Sequence, residues 1–512
     1  MSKRALLLIA VILLGCLPQW LIPDWHGTEG RRIQIALEML RSGDWLVPTL
    51  GGEPTWAKPP LHYWVLAAMS HWLGPTHWAL RLPSVVSVLV AAFAALALLR
   101  PWFGERAGWT VAFGIACSPL VLYEWPSAEI DPPFAALTAL SIWCLATGVA
   151  RDRAVLVVAS GVLGGLALLQ KGPPYFLFAV GAYMVWWRRR GFRHGLAHFV
   201  PLLAMPALWL VPLFLLRVAP DEMASVAGDE SVGRLMSHSW RHFTEIPGFW
   251  LRAVTIQLPF VLWCFWEWRG ARDARMDAAD LTLRMCSGAA VLAVVLLTFF
   301  PGRPTRYILP NVMLFTFAVG PAVAHFAAQQ RELGIFSQRA LRVLGLLGAG
   351  ALLAIPFVPR MGLAAAAPAL AFAVAPLLVR TPRALVCFCL AVPVLASWTV
   401  GWERSMQWPE SRRAREAAGR LLRSELEERL VLDATGATPY LVWHGHIEAP
   451  LLLAADILPD GQEMHRTAPT LRWVLHESGD KPPPRLADYA ERLRICVPGQ
   501  IFVLRERSAA PR

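Results

Sequence analysis

Charge-free apolar runs recur through the first 400 or so residues, broken by short polar turns. The runs at 5–20, 82–99, 196–216, 285–300 and 384–400 are nearly or wholly free of Asp, Glu, Lys and Arg. Each approaches the ~20 residues that an α-helix needs to cross a hydrocarbon core. One such run fits inside a soluble domain; a dozen do not. The pattern predicts about thirteen transmembrane helices. They fall near 5–22, 82–99, 107–123, 132–150, 154–170, 173–188, 197–217, 250–267, 283–300, 307–327, 342–358, 361–379 and 384–401.

The polar turns alternate in character. One set is rich in arginine: Arg100 and Arg106, Arg151 and Arg153, the run 188–190, and later Arg269, Arg331 and Arg380. The other set is longer or carries acid, at 23–81, 124–131, 171–172, 218–249 and 301–306. Basic turns stay on the cytoplasmic side, so the N-terminus is expected inside and the C-terminus, after an odd number of crossings, outside. The first run follows Lys3 and Arg4 but is not followed by a small-residue cleavage pattern, so it reads as a retained anchor.

Within the first outer loop, 29–42 has Ile33, Leu37 and Leu40 on one helical face, with Arg31, Gln34, Glu38 and Arg41 on others. The segment 60–72 is more apolar and aromatic. Both are expected as helices lying in the membrane interface, among tryptophans at headgroup depth. Beyond 401 the composition turns polar. An amphipathic helix is expected at 410–430, and short strands at 430–433, 440–443, 471–475 and 501–504. The fold class is therefore an all-α polytopic membrane protein with a small C-terminal α/β domain. The membrane part spans 1–401 with its loop at 23–81, and the tail domain spans 402–512.

Composition agrees: 56% of residues are hydrophobic and only 16% charged, against about a quarter charged in soluble domains. The net charge of +12 sits mostly in the inner turns, so it marks topology and not a nucleic-acid partner. Of eight cysteines, only Cys496 lies in the polar tail, which leaves neither a disulfide framework nor a metal spacing. His444 and His446, two apart, read as surface histidines.

Ionisable groups at membrane helix ends are costly and are usually retained for function. Here Glu29, Lys58, Glu129, Asp131, Lys171 and Arg306 all fall on the outer side of the expected topology, with Glu230, Arg234 and Arg303. Lysine and arginine there suit a lipid phosphate. A neighbouring carboxylate suits proton removal from an attacking hydroxyl or amine. Neither a Gly-rich dinucleotide fingerprint nor a P-loop is present, so no nucleotide-binding domain is indicated.

The string TEGRRIQIALEMLRSGDWLVPTLGGEPTWAKPPLHYWVLAAMS, followed by ALRLPSVVSVL, SAEIDPPFAALTAL, LQKGP, DESVGRL and TRYILP, resembles bacterial GT-C glycosyltransferases. The family is that of the lipid A aminoarabinose transferase and the dolichyl-phosphate-mannose-protein mannosyltransferases, and the likeness covers about residues 20–320. It implies an inverting transferase in the bacterial inner membrane, active on the periplasmic side. Its donor would be a polyprenyl-phosphate sugar and its acceptor a lipid A-like lipid, a glycan or a protein. The protein would be a monomer among membrane lipids. The resemblance points to Asp131 or Glu29 as the base and to Lys58, Arg234 and Tyr307 as holders of the phosphate. Lys171 and Arg306 join that donor set, and Glu230 lies in the acceptor loop. Three positions depart from the family. Thr28 replaces an Asp, Ala57 replaces a Glu, and Ser231 replaces a His, and the last two remove potential metal ligands. No cofactor or metal is therefore expected. A polyprenyl-phosphate-sugar flippase and an inactive lipid-binding relative are the alternative readings.

Overall fold

A computed structural model describes residues 2–20, 28–50, 53–216, 244–255, 277–300, 305–329, 332–354, 363–399, 430–432, 451–453, 473–477, 489–497 and 500–507. Packing divides the chain into two units.

The first unit comprises Met1–Leu21, Arg81–Pro126 and Ile130–Glu403. It is built from α1 (Lys3–Trp20), most of α4 (His77–Ala116), α5 (Pro119–Glu124), α6 (Asp131–Ala150), α7 (Ala154–Lys171), α8 (Pro174–Arg190) and α9 (Gly195–Leu215). Further along come α10 (Ile246–Thr255), α11 (Asp277–Leu297), a 3₁₀ turn (Thr305–Ile308), α12 (Leu309–Ala327), α13 (Ile335–Ala354), α14 (Leu363–Leu378) and α15 (Pro382–Thr399). Among the described residues, seven helices are long and apolar enough to cross a membrane. The chain is a multi-pass membrane protein.

Two of the expected crossings are joined. The 40 residues of α4 would run ~60 Å at 1.5 Å per residue, about twice a hydrocarbon core. The break is at Gly104, whose φ of 75° and ψ of 174° lie outside the helical region. Arg100 pairs with Glu105 beside it at 2.9 Å. The run expected at 107–123 is itself interrupted at Ser118, before Pro119 opens α5.

At the centre of this unit stands α6, buried around nearly its whole circumference, as a helix apolar on all sides must be. It packs against α7, α8, α11 and α12. Trp143 stacks on Phe317 of α12 with ring centroids 4.8 Å apart. Lipid tails are as apolar as leucine, so helices associate through close van der Waals packing of small residues. On α8 and α11, Gly181 and Gly288 let the backbones meet; a Cβ on Gly181 would collide with the Gly288 carbonyl. Backbone cannot move aside as a side chain can. Gly181→Val is therefore expected to cost ~2 kcal/mol or more, read as a lowered unfolding midpoint in detergent; an unchanged midpoint would contradict this packing.

The α6–α7 and α8–α9 turns are clipped together. Asp152 pairs with Arg193 at 3.0 Å and lies 2.7 Å from His194 Nε2. That hydrogen bond, with the nearby positive charges of Arg193, His194 and Arg190, holds the Asp152 carboxyl below the usual carboxylate range.

The second unit comprises Ile22–Leu80, Ser127–Glu129 and Arg404–Arg512. It contains α2 (Glu29–Ser42), a short antiparallel pair of β1 (Thr49–Leu50) and β2 (Glu53–Pro54), and α3 (Leu61–Leu73). The two helices occupy the two segments expected to be helical. The buried side of α2 differs from the one expected. Arg32, Ile35, Ala36 and Met39 are buried with Ile33, while Leu37 and Leu40 are only partly covered. The cause is polar: Arg32 donates through Nη1 to the hydroxyl of buried Tyr63 on α3, at 2.8 Å, and this turns the helix by its arginine.

The tail carries a five-stranded mixed sheet ordered β4-β3-β5-β7-β6. Its strands are β3 (Leu430–Leu432), β4 (Leu451–Leu453), β5 (Trp473–Glu477), β6 (Tyr489–Val497) and β7 (Gln500–Arg507). β3 is parallel to β4 and β5, and the remaining pairs are antiparallel. Strands were expected at β3, β5 and β7 but not at β4 or β6. A register shift between Glu491 and Leu493 breaks the alternation of β6 and hides its period. The helix expected at 410–430, the strand at 440–443 and the pair His444 and His446 lie outside the described residues.

Candidate functional site

In the first unit, the chemistry gathers where α6 begins and α7 ends. Asp131 is the first residue of α6, followed by Pro132 and Pro133, which suit the first helical turn. Lys171 is the last residue of α7. A carboxylate at a helix N-terminus and an ammonium at a C-terminus each complement the helix dipole. The antiparallel hairpin of α6 and α7 then sets the two ends side by side. Lys171 Nζ donates directly to Asp131 Oδ1. Arg306, on the 3₁₀ turn before α12, reaches Asp131 Oδ2 with its Nε at 3.2 Å. Tyr307, next along, places its ring 4.1 Å from the lysine nitrogen, and Phe134 of α6 lies 5.3 Å away on its own side. One turn of cation–π contact thus surrounds the ammonium.

Asp131 and Lys171 are 5% and 8% exposed, Arg306 26%. Removing charges from water is costly, so a buried pair persists only with close geometry and mutual neutralisation. Here one carboxylate faces two cations. The most accessible of the three is the guanidinium. A lysine and an arginine side by side are cations of the kind that suit a phosphate oxygen by charge.

In the second unit, the second carboxylate centre is assembled by backbone. Glu29 opens α2 and accepts a hydrogen bond from the Ala128 N–H. Glu129 is held at both oxygens by one residue: the Thr28 N–H donates to Oε1 at 2.5 Å and the Thr28 hydroxyl to Oε2 at 2.7 Å. His62 of α3 completes the clasp, its Nε2 lying 2.8 Å from the Ala128 carbonyl. A carbonyl only accepts, so His62 carries its proton on Nε2. Both glutamates are buried.

The structure thus brings together Asp131, Lys171, Arg306 and Tyr307 in one centre, and places Glu29 in the other. Lys58 lies half-buried in the second unit, on the turn before α3. Glu230, Ser231, Arg234 and Arg303 lie outside the described residues. Two residues went unassigned in the sequence. Glu129 stood only among the outer charges, although the string SAEIDPP carries it two positions before Asp131. Thr28 counted only as a lost carboxylate, whereas it is a double donor. Thr28→Asp should therefore not act as a repair. It sets a carboxylate against Glu129 and removes the hydroxyl donor, so a loss of ~1–3 kcal/mol in stability is expected. Thermal unfolding of the variant measures it, and a gain would reverse the role given to Thr28.

Residues 57–212 match the family described as dolichyl-phosphate-mannose-protein mannosyltransferase. Over 363 residues the chain is 27% identical to the undecaprenyl phosphate-alpha-4-amino-4-deoxy-L-arabinose arabinosyl transferase of Pseudomonas savastanoi pv. phaseolicola. That match takes in 67% of this chain and 64% of the relative. The chain therefore spans a little under two thirds of that protein's length. In three dimensions the chain superposes on ArnT from Cupriavidus metallidurans in the apo state, with a TM-score of 0.72 over 98% of this chain and 97% of that one, at 19% identity. The undecaprenyl phosphate-bound ArnT gives 0.70 over the same shares and at the same identity. The chain is ArnT-like in sequence and in fold. The resemblance expected from the motif strings holds.

Proposed function

We propose that this ArnT-like chain is an inverting glycosyltransferase that takes a sugar from a polyprenyl-phosphate donor at the outer face of the bacterial inner membrane. The observation that supports the proposal is Asp131 shared by Lys171 and Arg306, two cations brought together beside the ring of Tyr307. An acceptor oxygen or nitrogen attacks the anomeric carbon, and the bond from that carbon to the phosphate oxygen breaks on the opposite side. The leaving polyprenyl phosphate gains charge as it departs, and preorganised cations stabilise it there. Lys171, Arg306 and Tyr307 serve that role, with Lys58 and Arg234 completing the donor set and Glu230 on the acceptor loop. The attacking group loses its proton to a carboxylate. Asp131 is held by two cations, which disfavours proton uptake, so of the two carboxylates Glu29 is proposed as the base.

The proposal includes thirteen crossings with the N-terminus in the cytoplasm, a membrane part at 1–401 and a periplasmic domain at 402–512. It includes no metal, because Ala57 and Ser231 stand where the family offers ligands. The donor class is the one the resemblance implies, and 4-amino-4-deoxy-L-arabinose on undecaprenyl phosphate, the donor in the name of the Pseudomonas savastanoi relative, is the first to test, with a lipid A-like acceptor.

The test is transfer by the purified full chain in detergent, with that donor, and with and without a chelator. Product formation that survives chelation and drops at least tenfold in Lys58→Ala supports the proposal. Donor translocation in vesicles without any glycosylated product would replace it with the flippase reading.

A further inference from the structure

A second polar cluster lies inside the bundle, below the charged centre, and no part of the transfer chemistry uses it. Ser141 of α6, Ser160 of α7, Tyr175 and Tyr183 of α8, and His198 of α9 form one hydrogen-bonded network. All but Tyr183 are buried. In an apolar interior each such group must find its partner within the protein, and the proton count then sets the direction of every bond.

Ser141 Oγ donates to the Ser160 carbonyl at 2.7 Å, and Ser160 Oγ to the Val157 carbonyl at 2.6 Å. Both serine protons are thereby committed. Tyr175 must then donate to Ser141 Oγ, 2.9 Å away, and His198 must donate from Nδ1 to Ser160 Oγ, 2.7 Å away. A neutral imidazole has a single N–H, so Nε2 accepts from the Tyr183 hydroxyl at 2.7 Å. No proton remains for the contact between the two tyrosine hydroxyls. That contact is the longest of the set, at 3.3 Å, beyond the usual O–H···O range. The network is therefore two clasps, one from Tyr175 through Ser141 and one from Tyr183 through His198, and both end on Ser160 and its helix.

That helix is α7, which carries Lys171 at its end. Gly172 follows with φ 90° and ψ −153°, a conformation left to glycine, and its N–H closes on the Leu168 carbonyl at 2.8 Å. Two prolines later, Tyr175 turns back along α7 until its hydroxyl lies against Gly164, where a Cβ would strike it. Gly164 and Lys171 are seven residues apart, about two turns on one face. Tyr175 thus pins the turn on which the lysine sits.

We propose that Tyr175 and Ser141 are positioning residues that fix Lys171 for the donor phosphate. This inference rests on the phosphate role given to Lys171. Its test is a double-mutant cycle on the full chain in detergent, read as the affinity for undecaprenyl phosphate. Tyr175→Phe removes one hydroxyl and is expected to weaken binding about 3- to 10-fold, the worth of one hydrogen bond. Ser141→Ala should match it, and Ser141→Thr, which keeps a hydroxyl, should restore most of the affinity. In a Lys171→Met background, Tyr175→Phe should add no further loss, because coupled residues are non-additive. Equal losses in both backgrounds would mean general loosening and would overturn the inference. So would wild-type affinity in Tyr175→Phe alongside weakened binding in Lys171→Met, with the phosphate role left intact. Wild-type affinity in Lys171→Met itself would remove the phosphate role, and this inference with it.

Discussion

Lys171→Met is expected to lower kcat/KM for a polyprenyl-phosphate sugar by about 10²- to 10³-fold, the usual loss when one preorganised donor is removed from developing negative charge. Methionine keeps the length and the packing of the lysine stem, so the cation–π environment of Phe134 and Tyr307 loses its charge but not its filling. The variant also takes one of two cations from Asp131, which keeps Arg306. Breaking a buried pair by deleting one partner costs about 3 kcal/mol or somewhat more, and the remaining guanidinium holds the loss near the low end. The measurement is steady-state transfer together with an unfolding midpoint. A variant that is less stable yet fully active would show that Lys171 serves only the fold, and the phosphate would then have to be held elsewhere.

How far these centres were legible in the sequence depends on what each needed. The helices were legible because a charge-free run of bilayer length has few other uses. Residues of the first centre were legible by type and by side: Asp131, Lys171 and Arg306 all lay at the outer ends of expected helices. Their pairing was not. Asp131 meets a lysine 40 positions away and an arginine 175 positions away, and an apolar helix that is buried on all sides offers no periodicity to say which neighbour each face meets. The same limit explains α2. Its apolar positions suggested a face through Leu37 and Leu40, but one buried arginine with a tyrosine partner outweighed them.

Thr28 shows a different limit. Set beside a family motif it registers as a missing carboxylate, since a motif records residue type and order. What it does in the fold depends on Glu129, 101 positions away, to which it gives both a backbone and a side-chain proton. The motif strings hold both members of this clasp but not the contact between them. The departures at Thr28 and Ala57 therefore carry different weight. The first is answered by a partner in the structure. The second removes a possible ligand and keeps the metal-free reading a matter for the chelator experiment.

Asp131→Asn separates binding from chemistry. In the wild-type chain the carboxylate neutralises part of the charge that a donor phosphate would meet at Lys171 and Arg306. Asparagine keeps the size and one acceptor oxygen but withdraws the negative charge. Two cations are then left close together near the start of α6, a destabilised arrangement that an incoming phosphate relieves. Undecaprenyl phosphate should consequently stabilise the variant against unfolding more than it stabilises the wild type, by mass-action linkage, and the donor KM should stay level or fall. Turnover should drop by about 10²-fold or more, because Lys171 and Arg306 lose the anchor that aims them at the leaving oxygen. Lys171→Met predicts the opposite split, with weaker donor binding accompanying the lost rate. If Asp131→Asn raises the donor KM as Lys171→Met does, the carboxylate assists binding and does not compete with the phosphate. If it loses turnover with KM unchanged while Glu29→Gln stays fully active, Asp131 is the base and Glu29 belongs to the clasp alone.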